Sequence, residues 1–141
     1  MVGSYRLNIW SANTNQEWRP TMEELKLCES DYRFMSVIWD NEPMASGHLV
    51  ELCTQRLGWK KSTTYTTLKK LCDKGFAQNI DTIVTALVPR DKVQAYESER
   101  FVERTFEGSL PKFLVSFLGD KTISEQEATE LKRLIDAHKE E

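Results

Sequence analysis

The sequence contains few of the residues on which covalent cross-links and most catalytic sites depend. It has three cysteines and two histidines in 141 residues, and the cysteines lack the paired spacing of a disulfide framework. There is no glycine-rich phosphate loop, and neither His48 nor His138 stands in a metal-binding or nucleophile motif. We therefore expect a reduced protein without metal or cofactor, and not an enzyme.

Long apolar runs are also lacking. No stretch approaches the roughly 20 apolar residues that a membrane-spanning helix needs, and no signal peptide is visible. The composition is that of a globular chain, with 40% hydrophobic and 29% charged residues. The length fits one domain, or one small domain with an appendage. We expect a cytoplasmic protein that does not itself bind membranes.

An overall excess of positive charge is lacking too. The formal net charge is −3, which by itself argues against a nucleic-acid binder. The exception is the stretch 59–75, where five lysines and one aspartate give a local charge of +4. A focused basic patch of this kind steers a protein toward a phosphate backbone.

Residues 59–75 have the start and stop signals of one helix. Ser62 is a suitable N-cap because its hydroxyl can accept from a first-turn N–H, and Gly75 can adopt the left-handed conformation that ends a helix. At about 100° per residue, the helix has an apolar stripe and an opposite polar side. The stripe contains Leu68, Leu71 and Cys72, the polar side Thr63, Thr66 and Lys70, and the flanks Tyr65 and Lys69.

The polar side of this helix suits the major groove of DNA. A threonine hydroxyl can bond a base edge and its methyl can contact thymine, while lysine neutralises phosphate. The alternative is an ordinary surface helix with a solvated lysine side. We expect base contacts from Thr63, Tyr65 and Thr66, with Ser62 beside them. We expect phosphate contacts from Lys60, Lys61, Lys69 and Lys70.

The preceding pattern places this helix third in a helix-turn-helix. Residues 30–40, capped by Ser30, and residues 46–57, capped by Ser46, each have an apolar stripe at helical spacing. The second and third helices are separated by only a few residues, as a helix-turn-helix requires.

Strand-like residues follow at 76–87, with a turn expected at 79–81. This pattern predicts a small hairpin, the wing of a winged helix. The hairpin contains no lysine or arginine, so we do not expect the wing to contact phosphate.

Three amphipathic helices are predicted after the wing. They cover residues 90–106, residues 110–118 and a last helix that Ser124 and Glu127 begin as a capping box. Because about 50 residues make only a small core, we expect this segment to pair with its own copy in a two-fold dimer. The alternative is that it packs back onto the N-terminal domain. The expected dimer residues are Tyr96, Phe101, Phe106, Leu110, Phe113, Leu114, Phe117, Leu118, Leu131, Leu134 and Ile135.

The predicted fold is therefore mainly α with a small β-hairpin. A winged helix-turn-helix in residues 22–89 is followed by a three-helix dimerisation segment in residues 90–141. Residues 1–21 fit neither part, and we treat them as an N-terminal extension that is poorly ordered or not native, with Met22 as the natural start.

The cysteines have two interpretations. Cys53 and Cys72 lie on the inward sides of adjacent predicted helices, where a buried small hydrophobe is favoured over a redox pair. Cys28, near the first helix, is the better candidate for a reactive thiol.

Several short motifs occur in a specific order between residues 25 and 137. In the N-terminal half they are Val37-Ile38-Trp39, Gly58-Trp59, the Ser/Thr-rich start of the third helix, and Leu71 with Lys74-Gly75. In the C-terminal part they are Phe101, Phe106, Gly108-Ser109-Leu110, and Ser124-Glu125 before Glu130-Leu131. In this order they resemble the penicillinase-repressor family of bacterial winged-helix regulators. The resemblance implies a DNA-binding winged helix, a homodimer, and repression of resistance genes at inverted-repeat operators.

The resemblance also has implications for individual residues. It puts Thr63 and Thr66 at base-reading positions, whereas Ser62 and Tyr65 stand where better-known members have basic residues, so a different operator sequence is implied. It makes a membrane sensor protease a candidate partner, with the matching bond near Ser116–Phe117. Serine replaces the asparagine of those members there, so the cleavage is not carried over. Copper sensing by a C-terminal cysteine cluster is excluded, because this tail has no cysteine.

We therefore expect a homodimeric transcriptional repressor that binds an inverted-repeat DNA operator and regulates resistance or stress genes. The alternative is a winged-helix protein-interaction module without specific DNA binding, which the overall acidity and the uncharged wing favour.

Overall fold

The computed structural model describes residues 25–140, so the predictions for residues 1–24 lie outside them. The described residues form six helices and three short strands, and the predicted mainly α fold with a winged helix-turn-helix is confirmed. In chain order the elements are α1 (Glu29–Asn41), β1 (Met44–Ala45), α2 (Ser46–Leu57), α3 (Lys61–Asp73), β2 (Ala77–Ile80), β3 (Ile83–Ala86), α4 (Arg90–Phe106), α5 (Leu110–Leu118) and α6 (Glu125–Ala137).

The chain forms two compact units, with the boundary between Arg100 and Phe101. The division falls within α4, because Val93 and Tyr96 are buried with the core of the first unit. The sequence-based boundary at 89/90 instead marks the start of this helix. Tyr96, which the sequence assigned to the dimer surface, is only 3% exposed and belongs to that core.

Helix α1 supplies the centre of the first unit's core. Phe34, Met35 and Ile38 are fully buried, and the Phe34 ring stacks on Trp59 with ring centres 5.7 Å apart. The N-cap is Cys28. Ser30, the predicted cap, lies inside the first turn because the backbone enters the helix earlier than the serine signal indicates.

A three-residue connection joins α2 to α3 and completes the helix-turn-helix. Gly58 has φ 72°, a left-handed conformation that glycine adopts without a Cβ clash. The Trp59 N–H donates to the Cys53 carbonyl at 3.2 Å, and the Thr54 hydroxyl donates to the Trp59 carbonyl at 3.1 Å. These bonds fix the direction in which α3 begins.

Two predicted caps in this motif are wrong. Ser46 is the first residue of α2, and its N–H donates to the Thr82 carbonyl at 2.8 Å. Ser62 lies in the first turn of α3, whose N-cap is Lys60. The predicted stop of α3 is present: Gly75 has φ 89°. Its N–H donates to Cys72, while the Phe76 N–H donates to Leu71, the pattern of a Schellman motif.

The wing is an antiparallel hairpin of β2 and β3. Its turn lies at Asp81 and Thr82, which have φ 52° and 65°, as a type I′ turn requires. The predicted turn at 79–81 was too early, because Ile80 still pairs with Ile83.

Strand β1 was not predicted. It joins the hairpin in the order β1-β3-β2, with Met44 opposite Val84. Two residues are too few to produce a recognisable alternation, so this strand exists only through its partner.

Asp40, at the end of α1, links three helices. Its carboxylate accepts from Arg90 of α4 at 2.6 Å and from Arg56 of α2 at 2.9 Å. The Arg90 guanidinium also lies over the Trp39 ring, 5.3 Å from its centre. The hydrogen bonds from Arg90 and then Arg56 hold the pKa of Asp40 below its ordinary value.

The second unit is built on phenylalanines. Phe101, Phe106 and Phe113 contact one another edge to face, with ring centres 5.5 to 6.0 Å apart. The predicted cap of the last helix is present, since the Ser124 hydroxyl accepts from the Glu127 N–H at 3.0 Å. Neither α5 nor α6 contains a buried residue, so much of the apolar surface of this unit faces solvent.

Truncating the fully buried Leu71 to alanine is expected to lower the free energy of unfolding by about 2–5 kcal/mol, because a cavity would remain beneath α3. Leu87→Ala is the matched control, because Leu87 is 43% exposed in the same unit. Urea unfolding followed by circular dichroism measures both. Equal losses for the two variants would contradict the assignment of Leu71 to the core.

The Asp40 ion pairs predict a pH-dependent contribution to stability. Because its folded-state pKa is depressed, the contribution is present above the unfolded value of about 3.9 and is lost as the pH falls through the folded pKa. Asp40→Asn is therefore expected to be less stable than wild type at pH 7, with a difference that shrinks in acid. Urea unfolding across a pH series tests this, and a difference that grows in acid would oppose it.

Candidate nucleic-acid interface

The buried side of α3 determines which of its residues point away from the protein. The buried residues are Thr64, Thr67, Leu68 and Leu71. At about 100° per residue, an opposite stripe results, which we call the outer face of α3. It consists of Ser62, Thr66, Lys69 and Asp73, all of them exposed.

All eight residues predicted to bind DNA are exposed, but the centre of the polar side differs from the prediction. Thr63 and Lys70 lie on one flank of the outer face, and Tyr65, 37% exposed, lies on the other. The shift arises because Thr64 and Thr67 are buried, whereas the sequence-based wheel counted only leucines and a cysteine as inward residues. The hydropathy pattern does not reveal these two buried positions, because threonine is polar and yet able to bury its methyl group.

Thr64 is a buried polar residue in the first turn of α3. It is fully buried, and its hydroxyl donates to the Lys60 carbonyl at 3.2 Å. Burial raises the pKa of the Cys53 thiol in α2, and its interaction with the Thr64 side chain partly opposes that rise. The buried Thr64 hydroxyl on the inner side of α3 therefore has a partner, as a stable core requires.

The four lysines predicted to meet phosphate have different electrostatic environments. Lys70 Nζ lies 2.9 Å from an oxygen of the buried Asp31. Lys69 Nζ lies 3.5 Å from Asp73, with both side chains largely exposed. Within residues 25–140, Lys60 and Lys61 have no ion-pair partner. Their charges are the most available to an anion from solution.

These two lysines stand at the positive end of the helix dipole. Lys60 is the N-cap and Lys61 the first residue of α3, and no side chain caps the N-terminus. Unfilled first-turn N–H groups favour a phosphate oxygen. Asp73, at the other end of the outer face, is a carboxylate that the sequence-based site set omitted.

The wing presents a different surface. Ile80 and Ile83 face each other across the hairpin and are 58% and 44% exposed. Asp81 stands at the tip, and no lysine or arginine occurs between Ala77 and Ala86. The wing therefore offers apolar contact but no positive charge.

The other reactive side chains do not assemble into a site. No group of three or more His, Cys, Asp or Glu within residues 25–140 could hold a metal ion. His48 lies on the surface, 3.6 Å from Glu51. Cys53 is buried and Cys72 half-buried, whereas Cys28 is exposed. Burial raises the pKa of the Cys72 thiol as well as that of Cys53.

No helix in the part of the chain that the structure describes is long and apolar enough to cross a lipid bilayer.

Comparison with known proteins identifies relatives. The family model described as the penicillinase repressor matches residues 27–137. A penicillinase repressor of Bacillus licheniformis is 21% identical over 118 residues, which cover 81% of this chain and 92% of that protein. The match therefore includes all nine described secondary-structure elements.

The three thiols are expected to react in order of exposure. Cys28 should react with a small alkylating agent in the native protein, because it is exposed, while Cys53 should react only on unfolding, because it is buried and its pKa is raised. Peptide mass mapping after timed alkylation at pH 8 measures this. Modification of Cys53 as fast as Cys28 in the native protein would contradict the packing of α2 on α3.

Proposed function

The chain belongs to the penicillinase-repressor family, a family of DNA-binding transcriptional repressors, and on this premise we propose that it occupies an inverted-repeat operator as a homodimer. In this proposal α3 lies in the major groove. Ser62, Thr63, Tyr65 and Thr66 meet base edges, and lysines of α3 meet phosphates.

The observation that carries the proposal is the contrast between the two sides of α3. Its inner side is buried, while the opposite side exposes the hydroxyls of Ser62 and Thr66 together with Lys69 and Asp73. Small hydroxyl side chains let a helix backbone approach base edges, and their methyl groups can contact thymine. The local charge of residues 59–75 is +4 in a chain of net charge −3, so attraction to phosphate is concentrated here.

The alternative is a winged-helix module that binds proteins. It is supported by the exposed isoleucines and the missing positive charge of the wing. The two functions differ in the role of the start of α3. DNA binding requires the charges of Lys60 and Lys61 for phosphate contact, whereas protein binding by the wing does not.

The homodimer is inferred from the second unit. Exposed apolar side chains occur on both α5 and α6, and solvent-exposed patches of this kind mark an interface. The exposed ones within the predicted dimer set are Phe101, Leu110, Phe117, Leu131, Leu134 and Ile135. Pairing with an identical copy through a two-fold axis would bury these side chains in both protomers. Binding to two half-sites would also strengthen operator binding.

Resistance or stress genes are the proposed targets, since the relative is named a penicillinase repressor. A membrane sensor protease remains a prediction of the resemblance alone. The Ser116–Phe117 bond lies inside helix α5, where a protease would reach it only after local unwinding.

Fluorescence anisotropy on DNA from upstream of the protein's own gene, across a salt series, tests the proposal. Wild type is expected to prefer this DNA over a scrambled duplex, with log K falling linearly as log salt rises. Lys60→Ala with Lys61→Ala should make the slope shallower by up to about 3.6, from about 0.9 for each of two lysines in each of two protomers.

The matched control removes the same charge from the second unit, as Lys132→Ala with Lys139→Ala, and is expected to leave the slope near that of wild type. If wild type shows no preference for the upstream DNA, the repressor assignment fails and the protein-binding alternative is favoured.

The dimer is tested with two glutamate substitutions on opposite sides of α5. Phe117→Glu introduces a charge into the apolar stripe and is expected to weaken self-association by tenfold or more, about 1.4 kcal/mol or more. Val115→Glu changes a 74% exposed residue on the opposite side of the same helix and should leave the dimer intact. Sedimentation velocity distinguishes them. A monomeric wild type, or equal effects of both variants, would refute the proposed interface.

A further inference from the structure

We propose that Lys70 is not a phosphate contact but holds α3 against α1 through the buried carboxylate of Asp31, so that both are positioning residues for the DNA-binding surface. This inference rests on the proposed function, and it changes the role of one of the four lysines that the sequence assigned to phosphate.

The geometry is that of a fixed ion pair between two helices. Lys70 Nζ lies 2.9 Å from Asp31 Oδ1. The Asp31 side chain is only 5% exposed, while the Lys70 side chain is 46% exposed. The two residues are 39 positions apart in the chain, so their contact joins the first turn of α1 to the last turn of α3.

A buried carboxylate such as Asp31 needs other groups of the protein to stabilise it. Its place in the first turn of α1 lets the helix dipole favour a carboxylate, but a buried charge also needs a direct partner. If Lys70 turned away toward a DNA phosphate, the ion pair would be broken and the Asp31 carboxylate would remain buried without it. The lysine is therefore expected to stay where it is when DNA binds.

Lys69 shows the opposite arrangement one residue earlier. Its Nζ lies 3.5 Å from Asp73, and the two side chains are 79% and 68% exposed. Such an exposed pair is weak and easily exchanged for another partner. Lys69 also belongs to the outer face of α3, so of these two adjacent lysines it is the one free to meet a phosphate.

The ion pair with Asp31 has a consequence for the orientation of α3. Lys70 is one helical turn after Thr66 and flanks the outer face. Its bond to α1 therefore adds to the buried side chains a further contact that resists rotation of α3 about its axis, and so helps to set the direction in which Thr66 and its neighbours point. Because the pair has no net charge, it is expected to release no DNA counterion.

The test compares Asp31→Asn, Lys70→Met, the double variant and Lys69→Met as the matched control. Operator affinity is measured by anisotropy across a salt series, at a temperature where circular dichroism shows every variant folded. Asp31→Asn and Lys70→Met are each expected to weaken binding about tenfold, within the range for residues that share an ion pair, with the salt slope unchanged. Lys69→Met should make the slope shallower by about 1.8, from two protomers. The double variant should be less than additive, and Lys70→Arg should recover affinity.

Several results would overturn the proposal. A Lys70→Met slope as shallow as that of Lys69→Met would make Lys70 a phosphate contact. Unchanged affinity in Asp31→Asn and Lys70→Met would leave the pair with a role in stability alone, and additive effects would show that the two side chains act separately. The failures are distinguishable, because a wild-type protein that prefers no DNA refutes the proposed function itself, whereas the results above refute only the roles of these two residues.

Discussion

The surface that we propose binds DNA depends on how the inner side of α3 is buried. Two threonines and two leucines on that side are removed from water, and the hydroxyl of Thr64 has the Lys60 carbonyl as its partner. On the exposed side, Ser62 and Thr66 are short, and short side chains let a helix backbone approach another molecule closely. The same burial determines which residues face outward, because at 3.6 residues per turn the position of the inner side fixes the outer one.

Positive charge is concentrated on and around the same helix, α3. The chain as a whole is acidic, and one short stretch is basic. Of the four lysines predicted to meet phosphate, one is bound to the buried Asp31, another lies beside the exposed Asp73, and the two at the helix start have no ion-pair partner in residues 25–140. We infer that long-range attraction to phosphate comes mainly from the helix start. The second unit, with its exposed apolar side chains, would then supply the second copy of α3 that a symmetric operator requires.

Much of this architecture could be predicted from the sequence, because strong local signals agreed with the final packing. The limits of α2 and α4, the stop at Gly75 and the cap at Ser124 all follow from patterns within one or two helical turns. The errors came from interactions that are not local. Strand β1 exists only because β3 lies beside it, and Tyr96 continues an amphipathic pattern yet is buried in the first unit. No sequence spacing could have indicated that Lys70 has a buried partner in α1.

Hydroxyl-radical footprinting of the wild-type protein on DNA upstream of its own gene would show whether a dimer occupies an operator. We expect two protected patches on one side of the duplex, related by a dyad and separated by a whole number of helical turns. Each patch would correspond to one α3 of a dimer. A single patch would contradict the homodimer, and uniform reactivity at protein concentrations that saturate other family operators would contradict sequence-specific repression altogether.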